Sequence, residues 1–486
     1  MATLQYHSTV LLLLGLVWTQ ACRQDASQEL NSPSTLTAAE KLVTLEWTIP
    51  ALLDGGAVTG LSMAIVDDST IVWARGFGTC NAESGEPVDA NTVFEAASLS
   101  KPVFAYAVLR LADSGVIDLD APLTQYYDYE SVRHDGRSVE ITARMVLTHA
   151  TGFPNWRPRG GQLTINFEPG SRFSYSGEGF VFLQLAVMRL TGEPMQQLVA
   201  RLVFSPLGMT RSSYTWNDGY EENLALPHGA NGELLPKARP ERGNAAASLH
   251  TTATDFARFL IAVMNGVGLN DSTAHAMLSP QIEVDSGVAW GLGIGIQENE
   301  AGRAFWHWGD NTGYKAYTLT YPEQGVGIVW FTNSENGQTI LKALLAGTVG
   351  GTHPAADWLD YEQYDAPTRL VRGKLERVID QQGIQAAIVL YRKLKESEAP
   401  EAFDEGLLNS LGYGLLHNER IADAIMVFEL NVTEYPNAWN PYDSLGEAYM
   451  IAGDGERAID NYERSLQLNP ANTNAVTALQ RLRGGR

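Results

Sequence analysis

Ser98 and Lys101 stand three positions apart in the run Phe94-Glu95-Ala96-Ala97-Ser98-Leu99-Ser100-Lys101-Pro102. A serine hydroxyl is a weak nucleophile at neutral pH and needs an adjacent base. If a helix starts at Ser98, the Lys101 amine shares its face, and the helix N-terminus favours negative charge developing on the serine oxygen. Pro102 fits a first turn, where a missing N–H costs little, yet it biases Lys101 away from helical geometry. The same spacing also arises where an ordinary helix starts with an exposed Lys, so other residues must join the pair. Tyr175, in Phe173-Ser174-Tyr175-Ser176-Gly177, is one. Beside a Lys ammonium its phenol pKa falls, and it can pass protons between nucleophile and leaving group; alone it reads as a core aromatic with a wet tip. Trp306-His307-Trp308-Gly309-Asp310 supplies the third element. Gly309 lets a substrate approach the backbone, and the N–H groups of Ser98 and Asp310 would form an oxyanion hole.

The elements that must position these residues are legible in outline. Residues 61–66 and 70–74 are apolar β-formers around the turn signal Asp67-Asp68-Ser69, a hairpin. Helical patterns cover 102–114, which ends at Gly115, then 181–190 and 255–264. Residues 305–312, 316–321 and 326–332 read as closing strands. Strands at both ends with helices between predict an α/β sheet carrying an inserted helical region. Gly60-Leu61-Ser62-Met63-Ala64 loosely matches a nucleophile elbow, but it opens a hairpin rather than a strand-to-helix turn, so Ser62 reads as a strand residue.

Taken in order, Ser98-x-x-Lys101, Tyr175-Ser176 and His307-x-Gly309 resemble the serine β-lactamase and penicillin-binding-protein superfamily, nearest its class C-like branch. That branch also holds D-alanyl-D-alanine carboxypeptidases, D-amino-acid peptidases and family VIII carboxylesterases. Leu147-Thr148-His149-Ala150-Thr151-Gly152-Phe153-Pro154, Pro206-Leu207-Gly208-Met209 and Ala247-Ser248-Leu249-His250-Thr251-Thr252-Ala253-Thr254-Asp255 agree in order, across nearly all of residues 36–354. The resemblance implies an α/β (α+β) transpeptidase-like domain with an antiparallel sheet and a helical subdomain. It implies an acyl-enzyme formed on Ser98, with Lys101 and Tyr175 moving the proton, and no metal or organic cofactor.

Two departures bear on the substrate, for which His307, Gly309, Ser176 and Gly177 are the expected contacts. Many relatives have Tyr-x-Asn, whereas Gly177 here supplies no amide; Ser176 or Glu178 would have to replace it. Many also have Lys-x-Gly, whereas His307, with an ordinary pKa near 6.5, is largely neutral at pH 7. Both changes argue against β-lactams and D-Ala-D-Ala termini and favour esters or small amides. A carboxypeptidase or β-lactamase, and a catalytically weak sensor of cell-wall peptides, stay as alternatives. Trp156, Trp216, Trp290, Trp306 and Trp308 are candidates for an acyl pocket, although buried Trp is more often core.

From about residue 366 the pattern is helical and repeats: Leu411-Gly412 recurs as Leu445-Gly446, Ala424-Ile425 as Ala458-Ile459, and Pro436 as Pro470. A period of 34 resembles the tetratricopeptide repeat. Residues 366–486 are therefore expected to form an all-α repeat domain that docks a protein or peptide, or else packs as a structural annex.

The chain has 486 residues and a formal net charge of −22, which suits two folded units and repels nucleic acid and anionic headgroups. Residues 10–18 form an apolar run too short to span a bilayer, read with 1–21 as a signal peptide, although residues 1–9 hold no Lys or Arg. Ala21-Cys22 resembles a lipoprotein processing site, making residues 22–35 a tether and Cys22 a lipid anchor on an exported, periplasmic or envelope protein. The second cysteine, Cys80, reads as a bystander, and no metal motif is present.

Overall fold

The computed structural model describes residues 38–158 and 160–484. The signal-peptide, tether and Cys22 assignments fall outside the described residues. The chain divides into two units, Met1–Thr48 and Ile49–Arg486. Helix α1 (Ala38–Gly56) begins in the first, and the sheet, the site and the C-terminal helices all belong to the second. Among the described residues no helix is long and apolar enough to cross a membrane.

The main sheet is antiparallel, in the order β2-β1-β10-β9-β8-β7-β6-β5. Its strands are β1 (Gly60–Asp67), β2 (Thr70–Gly78), β5 (Ile282–Asp285), β6 (Val288–Trp290), β7 (Gly295–Asn299), β8 (Gly302–Asn311), β9 (Tyr314–Tyr321) and β10 (Val326–Thr332). A separate ribbon pairs β3 (Phe94–Glu95) with β4 (His250–Thr251). The expected hairpin is present, with Asp67 paired to Thr70. Asp68 and Ser69 both take positive φ, 48° and 56°, the backbone that lets a two-residue turn follow the twist of its strands. Ser62 lies in β1 opposite Phe331, as a strand residue. All eight residues of β9 are buried, so this strand is covered on both faces and anchors β8 beside it.

Helix α2 (Ser100–Asp113) is buried from Ser100 through Leu109. A helix enclosed all round belongs in the core, and α2 carries Lys101 there. Lys101 is helical despite Pro102, so the proline sits within the first turn without breaking it. Helix α3 (Gly177–Thr191) follows Tyr175 directly. Helix α4 (Ala253–Met264) packs on β1, β9 and β10, with Thr252 capping it by accepting a 3.1 Å hydrogen bond from Asp255 N–H.

After α5 (Leu341–Thr348) and α6 (Pro354–Leu359) come, among the described residues, seven α-helices: α7 (Pro367–Gln382), α8 (Ile384–Ser397), α9 (Glu405–His417), α10 (Ile421–Glu434), α11 (Asn440–Ile451), α12 (Gly455–Leu468) and α13 (Thr473–Gly484). They enclose a second core that includes Leu407, Leu411, Phe428, Leu445 and Tyr462. A Cβ at Gly412 would meet the Phe428 ring at 2.4 Å, and one at Gly446 the Tyr462 ring at 3.1 Å. The same helix crossing thus recurs at the sequence period. Arg369 fastens these helices to the sheet domain by donating to Asn336 Oδ1 at 3.1 Å and to the Gly56 carbonyl at 3.4 Å.

Candidate active site

The nucleophile turn is held from outside itself. Ala96 N–H donates to the Leu249 carbonyl at 2.7 Å, and Leu249 N–H donates to Ser100 Oγ at 2.9 Å. Ala97, just before the half-buried Ser98, has a φ of +49°. That left-handed backbone is strained for a residue with a Cβ and survives only where surrounding structure fixes it. The 245–252 stretch therefore clasps the turn that presents Ser98.

Lys101 is fully buried. Its Nζ donates to Ser98 Oγ at 3.0 Å and to the Ala246 carbonyl at 2.9 Å. Burial lowers the amine pKa to about 7, because taking a charge out of water disfavours the ammonium. At neutral pH a substantial fraction is free amine, able to accept the Ser98 proton.

Tyr175 stacks beneath that amine, with Lys101 Nζ 4.7 Å from its ring centroid. Its hydroxyl is buried without a well-formed hydrogen-bond partner. Burial raises the phenol pKa, and a weak interaction with the Ser98 hydroxyl opposes the rise. The lowered phenol pKa expected from a neighbouring ammonium is thus corrected: Lys101 faces the ring, and desolvation dominates. Lys101, not Tyr175, is the group poised as base at neutral pH.

His149 carries no role in the sequence reading, yet its ring lies 4.3 Å from that of Tyr175. Its Nδ1 accepts a 3.0 Å hydrogen bond from Ser176 N–H, and its φ is +54°. Burial and Lys101 keep this imidazole neutral, its pKa well below the ordinary value. The signal that pointed to it was its place in the Leu147–Pro154 run.

His307 is neutral, as expected: burial, then Lys101, lowers its pKa to about 3. It is also fully buried, with Nδ1 2.7 Å from the Trp308 carbonyl and its ring 6.2 Å from that of Tyr175. It therefore lies against the site with its Nε2 without a hydrogen-bond partner. Ser176 is not a free substrate contact. Its hydroxyl donates to the Pro154 carbonyl at 2.8 Å and accepts from Gly179 N–H at 3.1 Å, capping α3. A Cβ at Gly177 would meet the Trp156 indole at 2.6 Å, so this position is covered by Trp156. Glu178 does not replace an amide there, because its carboxylate pairs with Arg157 at 3.1 Å. Trp290 and Trp306 are fully buried core residues, and Trp216 lies instead beside Arg239.

Gly309 has a packing role beyond the one expected. A Cβ there would meet the Ala96 carbonyl oxygen at 2.6 Å and Ala97 Cβ at 3.1 Å, so its bareness lets β8 press on the nucleophile turn. Gln338 Nε2 donates to both the Gly309 and Ala316 carbonyls, at 3.2 and 3.0 Å. One side chain reaches both oxygens only when these opposed residues form a hydrogen-bonded pair. The next pair, Asp310 with Lys315, is then of the non-bonded kind, so the Asp310 N–H turns away from β9. On that side β7 has already ended, its last partner being Trp306.

Beside this strand end lies a cavity of about 440 Å³ bordered by Glu95, Asp310 and Glu335. The nearby cations are engaged: Lys315 pairs with Asp310 and Glu335, each at 2.9 Å, and Lys237 pairs with Glu95 at 2.8 Å. Among the described residues no cluster of His, Cys, Asp or Glu could hold a metal ion.

The sequence matches the Beta-lactamase family model over residues 45–346. Esterase EstB of Burkholderia gladioli is 27% identical over 315 residues, covering 53% of this chain and 80% of the esterase. Protein flp of Staphylococcus aureus is 22% identical over 304 residues, covering 58% of this chain, which spans 60% of that protein. The octameric penicillin-binding protein homologue from Pyrococcus abyssi superposes with a TM-score of 0.56 at 23% identity, covering 69% of this chain and 82% of that one. D-alanine carboxypeptidase AmpC from Burkholderia cenocepacia gives 0.56 at 17% identity, covering 64% and 99%. These solved structures share the fold of this chain. The chain belongs to the Beta-lactamase family, whose model covers well over half of it.

Proposed function

We propose that the protein hydrolyses esters or small amides through an acyl-enzyme on Ser98. The observation that carries this reading is the 3.0 Å hydrogen bond between the buried Lys101 amine and Ser98 Oγ. Lys101, partly free amine at pH 7, takes the Ser98 proton as the oxygen attacks the substrate carbonyl. The N–H groups of Ser98 and Asp310 hold the oxyanion. Tyr175, protonated because burial raises its pKa, relays a proton to the leaving group and then helps water release the acyl group. His149 and His307 keep its ring in place. Intact-mass detection of an acyl adduct that disappears in Ser98→Ala tests the chemistry; a wild-type chain that never acylates contradicts it.

Ester or neutral amide substrates are favoured over carboxylate-bearing ones. His307 is neutral and buried, and the adjoining cavity is bordered by Glu95, Asp310 and Glu335. The lysines beside it, Lys237 and Lys315, are already paired with these carboxylates, so neither is free to hold an anionic substrate terminus. A chromogenic cephalosporin turned over faster than a short-chain aryl ester contradicts this preference.

The C-terminal helices are proposed to be tetratricopeptide-like, on the recurrence of Gly412 against Phe428 as Gly446 against Tyr462. They serve as a docking module for a protein or peptide. Export and lipidation at Cys22 are proposed from the sequence of residues 1–22, and metabolic labelling with palmitate, lost in Cys22→Ala, tests them.

A further inference from the structure

The segment between the sheet domain and the helical array reaches the active site. It lies beyond the family match, which ends at residue 346. Trp358, on α6, packs its ring 5.8 Å from Trp308 and 6.1 Å from Phe173; Trp308 in turn lies 4.6 Å from the Tyr175 ring. Three residues later the Tyr361 hydroxyl donates to Asp310 Oδ2 at 2.7 Å. The other Asp310 oxygen binds Lys315 at 2.9 Å. The Asp310 carboxylate is therefore gripped from two sides, by its own sheet and by the connector. Burial, with Asp310 next, raises the Tyr361 phenol pKa, so it stays a donor, and Tyr175 lies within its electrostatic reach.

We propose that Tyr361 is a positioning residue of the active site: it holds Asp310, and with it the strand end whose N–H faces the Ser98 turn, so that the connector completes the oxyanion site. This rests on the reading of Ser98 as nucleophile and Asp310 N–H as oxyanion donor. The geometry gives the reason. β7 ends opposite Trp306, so residues 307–311 of β8 have a strand partner on one side alone. A strand end supported on one side drifts unless its side chains are tied, and an error of about 1 Å in the placement of a catalytic group can cost about a hundredfold in rate. Tyr361 also joins the two parts of the chain. The adjacent Glu362 pairs with Arg369 and Arg372 of α7, so the first helix of the C-terminal array is fastened one residue from the phenol that holds Asp310.

The test is steady-state hydrolysis of p-nitrophenyl butyrate by the full chain, with Ser98→Ala, Tyr361→Phe, Asp310→Ala and the Tyr361→Phe/Asp310→Ala pair. Tyr361→Phe removes one oxygen atom and keeps the ring. It is expected to lower kcat about tenfold with KM within about twofold and an unchanged melting temperature. The double variant should be no slower than Asp310→Ala, because both changes break one link. Wild-type kcat in Tyr361→Phe, or additive losses that track a falling melting temperature, overturns the proposal while leaving the Ser98 reading intact. Should Asp310→Ala fail to fold, Tyr361→Phe alone decides. Turnover that survives Ser98→Ala overturns the underlying reading, and this proposal with it.

Discussion

Lys101 Nζ stands between two oxygens, Ser98 Oγ at 3.0 Å and the Ala246 carbonyl at 2.9 Å. The carbonyl fixes where the amine sits, and burial decides its charge. A buried amine with a pKa of about 7 is a base matched to neutral pH, which is what proton removal from a serine requires.

The pH profile follows from that value. The amine must be unprotonated to accept the proton, so kcat/KM should rise with pH through about 7 and level off above it. Ester hydrolysis measured from pH 5 to 9 checks this. A profile flat across that range would remove Lys101 from the base role.

Lys101→Met separates function from stability. Between pH 7 and the unfolded lysine value near 10.4, the unfolded chain binds a proton that the native state does not. The buried amine therefore opposes folding there, and its cost shrinks as pH rises toward the unfolded value. At pH 8 Met should abolish turnover, by about 10⁴-fold or more. Stability should rise by at least about 1 kcal/mol, because Met removes the cost of deprotonating the lysine on folding. Urea denaturation with an ester assay reads both.

Gly309→Ala places a methyl group 2.6 Å from the Ala96 carbonyl oxygen. Backbone cannot swing aside as a side chain can, so β8 must move off the nucleophile turn. The expected cost is about 1–3 kcal/mol of stability and about a hundredfold in kcat. Gly177→Ala meets the Trp156 indole instead; that half-exposed side chain can shift, so this second variant should keep most of its activity.

Two truncations divide the connector from the helical array. A chain ending at Ala366 keeps Trp358 and Tyr361, whereas one ending at His353 loses both. If the array is a docking module, the first should be soluble and near wild type in kcat. The second should be about tenfold slower. Aggregation of the first would instead mark the array as a structural annex, as the Arg369 bonds to Asn336 and Gly56 would then require.

What the sequence revealed of this site was what is local. Ser98 and Lys101 share one helix start, and Tyr175 and Asp310 lie in short runs of distinctive composition. The helix around Lys101 formed despite Pro102, because enclosure of α2 outweighs the local bias of a pre-proline residue. The partners that come from far along the chain were not legible. Gln338 reaches Gly309 only through the folding of β8 to β10, and Tyr361 reaches Asp310 only after the connector turns back over the sheet. Ser176 had a readable signal that pointed elsewhere: a serine just before a helical run is an N-cap, and its hydroxyl is spent on that. Strands β5 to β7 escaped notice because each has three to five residues. Gly287, Gly291 and Gly293 interrupt them, leaving too short a stretch for a period of two to declare itself.

Everything in this mechanism rests on Ser98 as the nucleophile. That role is tested most directly by the hydrolysis rate of a short-chain nitrophenyl ester, using the chain from Arg23 onward beside its Ser98→Ala variant. Turnover by the wild type should vanish in the variant while the melting temperature holds. A folded wild type without turnover, or a rate unchanged by Ser98→Ala, would contradict it.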